Sequence, residues 1–365
     1  MYSELTIRQF RCFSELRVDG LKRVNLVTGV NNVGKTTLLE AFFLLVGGFN
    51  PELPYRVNLM RGWNGSASSA DELWGWLFQN NDTRTSIEIT GVLKSGIEDR
   101  LKLSLGSELD FESSTQPSNE LHDGLPVASR SQGGAPSFTQ SIPSRSLVLS
   151  LQVSGAPPVS SRISLGANGQ MRMEQPDPTR FRPGVFMPTG MRPGPELSDR
   201  RSRCLARGQK AVVENLLRHI EPTLEELLML SNSGVAVVHG RLKSGRHFPL
   251  PLLGDGFGRL LSMALALVDT RGGVVLVDEI ENGLHHSAMG KVWKGLAVMA
   301  EGADVQLVAT THSEECIRSA TDAFERRGED QLALVQLFRL KEKIGCRTLD
   351  RDVVRVGIDN NIELR

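Results

Sequence analysis

The segment GVNNVGKTT, Gly29 to Thr37, constrains the fold of this chain more than any other. It follows VNLVT, which has the composition of a buried strand, and it precedes TTLLEAFFLLV, which favours a helix. A glycine-rich loop with the pattern GxxxxGK[ST] between a strand and a helix is typical of a phosphate-binding loop. We therefore expect an α/β fold in which this loop lies at the carboxyl end of a strand.

The loop predicts a set of phosphate contacts. Lys35 is expected to reach the β and γ phosphates and the Thr36 hydroxyl to ligate Mg²⁺, while Thr37 is less suited to the metal. Backbone amides of the loop and of the following helix would surround the phosphates. The expected nucleotide-binding residues are Gly29, Asn31, Asn32, Val33, Gly34, Lys35, Thr36 and Thr37. A glycine turn that merely caps a helix is the alternative.

A pair of acidic residues follows a second apolar strand. In GGVVLVDEIENGLHH, four β-forming residues precede Asp278 and Glu279, so both carboxylates are expected at the carboxyl end of a buried strand. Asp278 is predicted to hold Mg²⁺ through water, and Glu279 to be the general base that activates the attacking water. An acidic helix cap would explain one aspartate, but not its occurrence with the loop upstream.

A third apolar strand, VQLVATTHS, ends in His312. A polar side chain that leaves a core strand beside the other two motifs can contact the γ-phosphate and the attacking water. A histidine considered alone is more often a surface residue. The order of the three strand ends favours the functional interpretation, and Lys35, Glu279 and His312 are the predicted catalytic residues.

Between the loop and the acidic pair lies LLGDGFGRLLSMALALV, a glycine-rich turn that opens an apolar helix. In chain order, GVNNVGKTT, this turn, VLVDE, ENGLH and TTHS resemble the Walker A, signature, Walker B, D-loop and H-loop motifs of ABC-type ATPases. With the closing NNIELR, they resemble more closely the AAA/ABC-type ATP-binding core family of stand-alone bacterial ATPases related to SMC, RecF and OLD proteins. The resemblance covers roughly residues 1–105 and 180–365, and no TOPRIM-like acidic module is recognised.

This resemblance implies an α/β ABC-type P-loop NTPase core with a mixed sheet, an antiparallel β subdomain and a short helical insertion. It implies ATP and Mg²⁺ as cofactors and two subunits that sandwich two ATPs, each between one Walker A loop and the partner's signature turn. The signature residues implied to contact nucleotide are Gly254, Asp255, Gly256 and Arg259. Arg11, Cys12 and Phe13 are implied to lie near the adenine, although Phe10 and Phe13 are more often strand core.

The signature turn departs from the LSGGQ pattern of ABC proteins. It reads Leu253 to Phe257 as LGDGF, so glycine replaces the serine expected on the γ-phosphate. An acid at Asp255 is unfavourable near an anion unless Mg²⁺ or Arg259 offsets it. Glu281 to Leu284 match a D-loop, for which a helix-capping turn is the alternative.

The nucleotide core is expected to be split by insertions. Walker A and the β subdomain are predicted over 1–105, a flexible Ser-, Pro- and Gly-rich insertion over 106–146, and strands that complete the subdomain over 147–190. Leucines and valines at three- to four-residue spacing predict helix from Glu196 to Leu230, within a helical insertion over 191–247. Residues 248–365 carry the signature, Walker B, D-loop and H-loop motifs.

Composition restricts the partners. Lys plus Arg and Asp plus Glu are both 42, so no global positive field favours nucleic acid. A local basic run, Arg200 to Arg203 with Arg207 and Lys210, is the candidate DNA surface, although such runs on helices are usually solvated faces. The four cysteines lack disulfide or zinc spacing. The polar N-terminus and the short apolar segments argue against a membrane span and favour the cytoplasm.

Together these features predict an ATPase in which water attacks the γ-phosphate of ATP. The cycle is expected to serve nucleic-acid repair or defence against phage, in a homodimer or larger homo-oligomer that controls a separate effector protein. A slow or inactive ATP-gated dimerisation scaffold for a protein partner is the alternative, which the missing signature serine favours.

Overall fold

The fold, described here from a computed structural model, is a mixed α/β fold that contains several sheets. The structure describes residues 1–63, 69–107, 145–153, 156–165, 171–174, 182–190, 196–232, 235–325 and 330–360. Most of the insertion predicted over 106–146 and most of the closing NNIELR lie outside these residues.

Sixteen strands and nine α-helices lie within the described residues. The strands are β1 Tyr2–Phe10, β2 Phe13–Val18, β3 Val24–Thr28, β4 Ile87–Leu93, β5 Glu98–Ser107, β6 Arg145–Val153, β7 Val159–Leu165, β8 Met171–Glu174, β9 Gly184–Met187, β10 Leu224–Asn232, β11 Val235–Leu242, β12 His247–Pro249, β13 Val274–Val277, β14 Gln306–Thr310, β15 Leu332–Leu340 and β16 Lys343–Leu349. The helices are α1 Lys35–Val46, α2 Leu53–Leu59, α3 Ala70–Trp74, α4 Glu196–Ala206, α5 Lys210–Leu217, α6 Asp255–Asp269, α7 His286–Gly302, α8 Glu314–Glu325 and α9 Arg351–Asp359.

The strands form three sheets. A six-stranded core sheet has the order β16-β15-β3-β14-β13-β9, in which only the β15 and β16 pair is antiparallel. A seven-stranded antiparallel sheet has the order β2-β1-β4-β5-β6-β7-β8, and β10, β11 and β12 form a third, antiparallel sheet. This arrangement confirms the predicted mixed core sheet with an antiparallel β subdomain.

The core sheet lies between two hydrophobic clusters. On β13, Val275 and Val277 pack into one cluster with α6 and α7, whereas Val274 and Leu276 pack into the other with α1 and the seven-stranded sheet. Both faces are covered, which is why β13 is apolar throughout instead of alternating. Helix α1 is buried on nearly all sides because it lies between the two sheets.

The predicted helix from Glu196 to Leu230 is wrong beyond residue 217. Helices α4 and α5 form as expected, but β10 takes up Leu224 and pairs with β11. A bulge between Leu224 and Glu226 interrupts the two-residue alternation, so the buried Leu224 and Leu227 are three residues apart, which is a helical spacing. The insertion predicted over 191–247 as helical is therefore a pair of helices followed by a small sheet.

The strands predicted over 147–190 divide between two sheets. Strands β6, β7 and β8 extend the antiparallel subdomain as predicted, but β9 joins the core sheet parallel to β13. Gly184 lets β9 pack closely against α1, because a Cβ on this residue would come within 2.7 Å of Val46 on that helix. A four-residue strand is too short for its sheet to be assigned from periodicity.

Candidate functional site

Three neighbouring strands of the core sheet bring the predicted motifs together. Parallel strands β3, β14 and β13 end at Thr28, Thr310 and Val277, directly before the glycine loop, His312 and the acidic pair. The carboxyl ends of parallel strands lie at one edge of a sheet, where ligands of α/β proteins bind.

The glycine loop has a backbone that requires its glycines. Gly29 and Gly34 have φ of 144° and 98°, and Asn32 has φ of 60°. A Cβ on Gly34 would come within 2.8 Å of the Phe13 ring, and one on Gly29 within 2.5 Å of a backbone oxygen. The loop therefore bends tightly into α1, whose first residue is Lys35.

Lys35 lies almost buried at the centre of this loop. Its Nζ donates hydrogen bonds to the carbonyl oxygens of Gly29 at 2.6 Å and Val30 at 3.0 Å. Burial lowers the pKa of Lys35, against the opposing effect of the carboxylates of Asp278, Glu279 and Glu281. The ammonium is thus held inside the loop, at the place where a phosphate chain would lie.

A cavity of about 640 Å³ opens over the loop. It brings together most of the predicted loop residues with Arg11, Glu279 and His312. Val33 is buried in the hydrophobic core and does not line this cavity. Cys12, which the resemblance places near the adenine together with Arg11, also lines the cavity. The side chains that line it and that the sequence did not predict are Arg61, Trp76, Phe78, Asn80 and Asn81.

Three hydroxyl groups hold Asp278. Its Oδ2 accepts hydrogen bonds from Thr36 at 2.9 Å and Thr189 at 3.2 Å, and its Oδ1 accepts one from Thr310 at 2.6 Å. The direct contact with Thr36 joins the two predicted Mg²⁺ ligands. Hydroxyl and carboxylate oxygens are the kind of metal ligand that Mg²⁺ prefers.

Glu279 and His312 form a pair on the wall of the cavity. The Glu279 Oε1 lies 3.2 Å from the His312 Nε2. Glu279 has φ of 49°, a conformation that costs free energy in residues other than glycine and that the surroundings must hold in place. Its amide donates to the Thr310 hydroxyl at 2.8 Å, so Thr310 fixes both acidic residues.

Arg259 lies against the Walker B segment of its own chain. Its guanidinium donates to the carbonyl oxygens of Asp278 and of Glu279, the latter at 3.0 Å. Burial lowers the pKa of Arg259, and the three nearby carboxylates Asp278, Glu279 and Glu281 oppose this effect. Arg259 therefore links α6 to the acidic pair within one chain.

The signature turn packs on the D-loop and lines a second cavity of about 490 Å³. A Cβ on Gly256 would lie 1.9 Å from the Gly283 carbonyl oxygen, so the two backbones touch. Gly254, Asp255 and Gly256 line this second cavity together with Lys291. No residue that lines it also lines the cavity over the loop. The structure therefore does not bring the predicted signature residues to the Walker A loop of the same chain.

The D-loop is tied to the histidine strand. The Glu281 Oε1 accepts a hydrogen bond from the backbone amide of His312 at 2.8 Å. Glu281 of the D-loop therefore contacts the segment that carries His312 in its own chain. A turn that only capped a helix would not need this contact.

Two family models match separate parts of the chain. The model described as "AAA domain" matches residues 4–125, and the model described as "AAA domain, putative AbiEii toxin, Type IV TA system" matches residues 174–318. The first contains the Walker A loop, and the second contains the signature, Walker B and histidine motifs. This chain has an AAA-type ATPase core.

Curated relatives and solved structures are similar to all or part of this chain. An "ATP/GTP phosphatase" of Helicobacter pylori is 23% identical over 94% of this chain and 93% of the relative. An uncharacterised protein of Methanocaldococcus jannaschii is 30% identical over 24% of this chain and 41% of the relative. The SMC head of Thermotoga maritima superposes over 96% of this chain and 99% of that chain, at 13% identity and a TM-score of 0.42. A Pyrococcus furiosus Smc head, bound to a ScpA domain, superposes over 99% of both chains at 9% identity and a TM-score of 0.48.

A buried carboxylate on α1, the helix that follows the Walker A loop, was not predicted. Glu40 is 1% exposed and accepts two hydrogen bonds from Arg61, at 2.7 and 2.9 Å, while Arg11 forms an ion pair with it at 3.0 Å. Arg61 also donates to the Thr37 hydroxyl at 3.1 Å. Arg11 is therefore anchored under the loop as well as facing the cavity. Arg61 carried no motif signal, since α2 and the turn that follows it decide its position.

The basic run predicted as a candidate DNA surface is paired within the ATPase core. Arg201 is fully buried and donates to Glu214 at 3.0 Å, and Arg203 and Arg207 both contact Asp269 on α6. The two remaining cations, Arg200 and Lys210, lie within 4.0 Å of Glu196 and 2.6 Å of Glu226, respectively. The ion pairs of Arg203 and Arg207 hold the insertion to α6, and the DNA surface stays a prediction.

The described helices of the ATPase core include none with the length and apolar character needed to cross a bilayer.

Proposed function

We propose that this chain binds ATP with Mg²⁺ and hydrolyses it to ADP and phosphate. The observation that carries the proposal is the convergence of Lys35, the Thr36–Asp278 contact and the Glu279–His312 pair at the ends of three neighbouring strands. A core that only bound nucleotide would not need a carboxylate and an imidazole beside the γ-phosphate position.

The residues have separate roles in the proposed reaction. Lys35 neutralises charge on the β and γ phosphates, and the loop amides position them. Glu279 accepts a proton from water as the water oxygen bonds to the γ-phosphorus, and the bond from phosphorus to the bridging oxygen breaks, releasing ADP. His312, 3.2 Å from Glu279, orients this carboxylate and the water.

Thr36 and Asp278 would hold Mg²⁺, which when bound shields the charge of the β and γ phosphates. The short hydroxyl-to-carboxylate contact fits this assignment, because Mg²⁺ is usually held by one or two protein oxygens together with phosphate oxygens and water. The hydroxyls of Thr189 and Thr310 keep the carboxylate oriented for that role.

Variants of Glu279 and Lys35 test the proposed hydrolysis. Glu279→Gln should retain ATP binding and lower turnover at least about a hundredfold, because the base is lost while Asp278 and the shape are kept. Lys35→Ala should weaken ATP binding at least about tenfold, since the loop amides do not replace its charge. Phosphate release and calorimetry measure the two effects, with the exposed Glu315→Gln as the control. Wild-type turnover in Glu279→Gln would contradict the assignment of the base.

We further propose that the ATPase cycle controls a separate effector protein in defence against phage. The match of residues 174–318 to a domain model described with the AbiEii toxin supports this direction. The pairing of the basic run with carboxylates favours a protein target over DNA repair. Phage plating on cells that carry this chain with its neighbouring genes is the test. Protection that Lys35→Ala abolishes is expected, and protection that survives Lys35→Ala would contradict the proposal.

One observation favours the scaffold alternative. Gly254 replaces the serine that an ABC signature would offer to the γ-phosphate, and the neighbouring Asp255 is exposed at the first turn of α6. An acid there weakens the approach of a partner's nucleotide and would slow a cycle that depends on it. ATP-dependent association with no turnover in the native protein would support the scaffold and reject the enzyme.

A further inference from the structure

Trp76 projects from a segment whose other apolar side chains are buried. Its neighbours Trp74, Leu77 and Phe78 are at most 1% exposed, whereas Trp76 is 54% exposed. The side chains of Trp74, Leu77 and Phe78 show that residues of this segment can pack into the hydrophobic core. Its outward position leaves a large flat aromatic face on the wall of the cavity over the Walker A loop.

The segment that carries Trp76 is fixed to the turn between β1 and β2. Phe78 forms a backbone bridge to Phe10, and the Arg11 amide donates to the Leu77 carbonyl oxygen at 2.9 Å. Asn80 and Asn81 follow with φ of 53° and 57°, which turns the chain back toward the cavity. Backbone contacts with Phe10 and Arg11 thus hold the segment that carries Trp76 at the turn between β1 and β2.

The groups around Trp76 suit a flat heterocycle. Asn80 and Asn81 line the same cavity, and an amide side chain can both donate and accept hydrogen bonds. An aromatic face stacks on any base, because every base has a π-face. Neither group discriminates the 6-amino group of adenine from the 6-oxo group of guanine.

We propose that Trp76 is the platform on which the purine base of a nucleoside triphosphate stacks, and that the site accepts both ATP and GTP. This inference rests on the proposed binding of a nucleoside triphosphate by the Walker A loop. Trp76 is a specificity-determining residue in this proposal, since it favours a purine over a smaller ring and leaves the choice between the two purines open.

A comparison of ligands with and without a base isolates this role. Trp76→Ala should raise the Kd for ATP and for GTP by the same factor, roughly 5 to 150, because base stacking on an aromatic side chain has that effect on affinity. The Kd for inorganic tripolyphosphate should not change, because that ligand has no base. Trp76→Phe should restore most of the affinity. Val298→Ala, a half-exposed residue of α7 that does not line the cavity, is the control.

Calorimetry on the full chain, with thermal unfolding to check that each variant is folded, separates the outcomes. Equal weakening of ATP and tripolyphosphate by Trp76→Ala would show general damage to the loop and overturn the proposal. Unchanged nucleotide Kd with weaker self-association would make Trp76 a contact between copies, which also overturns it. If the native chain bound ATP with Lys35→Ala having no effect, the proposed function would fail instead, so the two failures are distinguishable.

Discussion

At the scale of single residues, the candidate site depends on hydroxyl groups as much as on the acidic pair. Thr310 is the clearest case, since its one oxygen donates to Asp278 and accepts from the Glu279 amide. It also supports the left-handed backbone of Glu279, which carries the carboxylate toward His312. The position of the proposed base therefore depends on a threonine in the next strand.

Thr310→Val should lower ATP turnover at least about tenfold with little change in the Kd for ATP. The variant keeps the shape of the side chain and leaves the Glu279 amide and one oxygen of Asp278 without a partner, which should also lower the free energy of unfolding by about 1–3 kcal/mol. Steady-state turnover, calorimetry and denaturant unfolding measure the three effects. Thr310→Ser should restore all of them. Normal turnover in Thr310→Val would show that Glu279 is positioned by other contacts.

The sequence predicted the site residues that belong to motifs and missed their supports. Asp278 and Glu279 follow an apolar strand directly, His312 comes two residues after another, and Lys35 ends the glycine loop that follows a third. Their clustering could therefore be expected once three parallel strands were assigned. Thr310 stands one residue before the TH pair of a recognised motif, and its position at the strand end was a usable signal. Thr189 and Arg61 gave no such signal, because their contacts depend on β9 joining the core sheet and on the turn after α2.

At the scale of elements, the signature helix and the D-loop act as one unit. Gly256 at the start of α6 touches Gly283 through the backbone, and Arg259 one turn later binds the carbonyl oxygens of the acidic pair. A displacement of α6 would therefore move the segment that carries Glu279. The sequence showed both turns but not this contact, since a glycine pair in contact leaves no periodic pattern.

Gly256→Ala should lower the free energy of unfolding by about 1–3 kcal/mol, because a Cβ 1.9 Å from the Gly283 oxygen forces the two backbones apart. Turnover should fall as well, through the displacement of Arg259. Gly290→Ala is the matched control, since no atom lies within 4 Å of its added Cβ. That change should stabilise α7 by about 0.5–1 kcal/mol. Equal unfolding free energies in the two variants would refute the close contact.

Residues 108–144 should be replaceable by a short Gly-Ser turn without loss of ATP binding. Strands β5 and β6 pair antiparallel up to Ser107 and Arg145, so their ends lie side by side and a hairpin loop can join them. The Ser-, Pro- and Gly-rich composition of the segment offers little to bury. Calorimetry with ATP and thermal unfolding provide the readout. A shortened chain that folds but no longer binds ATP would assign the segment to the nucleotide site.

At the scale of the whole molecule, the two cavities lie apart on one chain. The cavity over the Walker A loop, here the loop cavity, is lined by groups proposed to bind and hydrolyse ATP. The second cavity, here the signature cavity, is lined by the start of α6 and by Lys291. A second copy could place its signature cavity over the first copy's nucleotide, so that each γ-phosphate bridges two chains. ATP would then promote association in proportion to its preference for the closed pair.

Glu279→Gln with ATP should therefore associate, and charges at the signature cavity should tune that association. Gly256 is unsuitable for this test because any side chain there disturbs its own chain. Lys291→Glu should weaken association, since it replaces an exposed cation with an anion facing the phosphate, whereas Asp255→Asn should strengthen it by removing a like charge. Both variants are built in Glu279→Gln. Each should keep the Kd for ATP, measured at protein concentrations where the chain is monomeric.

Light scattering with and without ATP measures the association. If both substitutions left association unchanged, or if the protein assembled equally without nucleotide, other surfaces would have to hold the oligomer together.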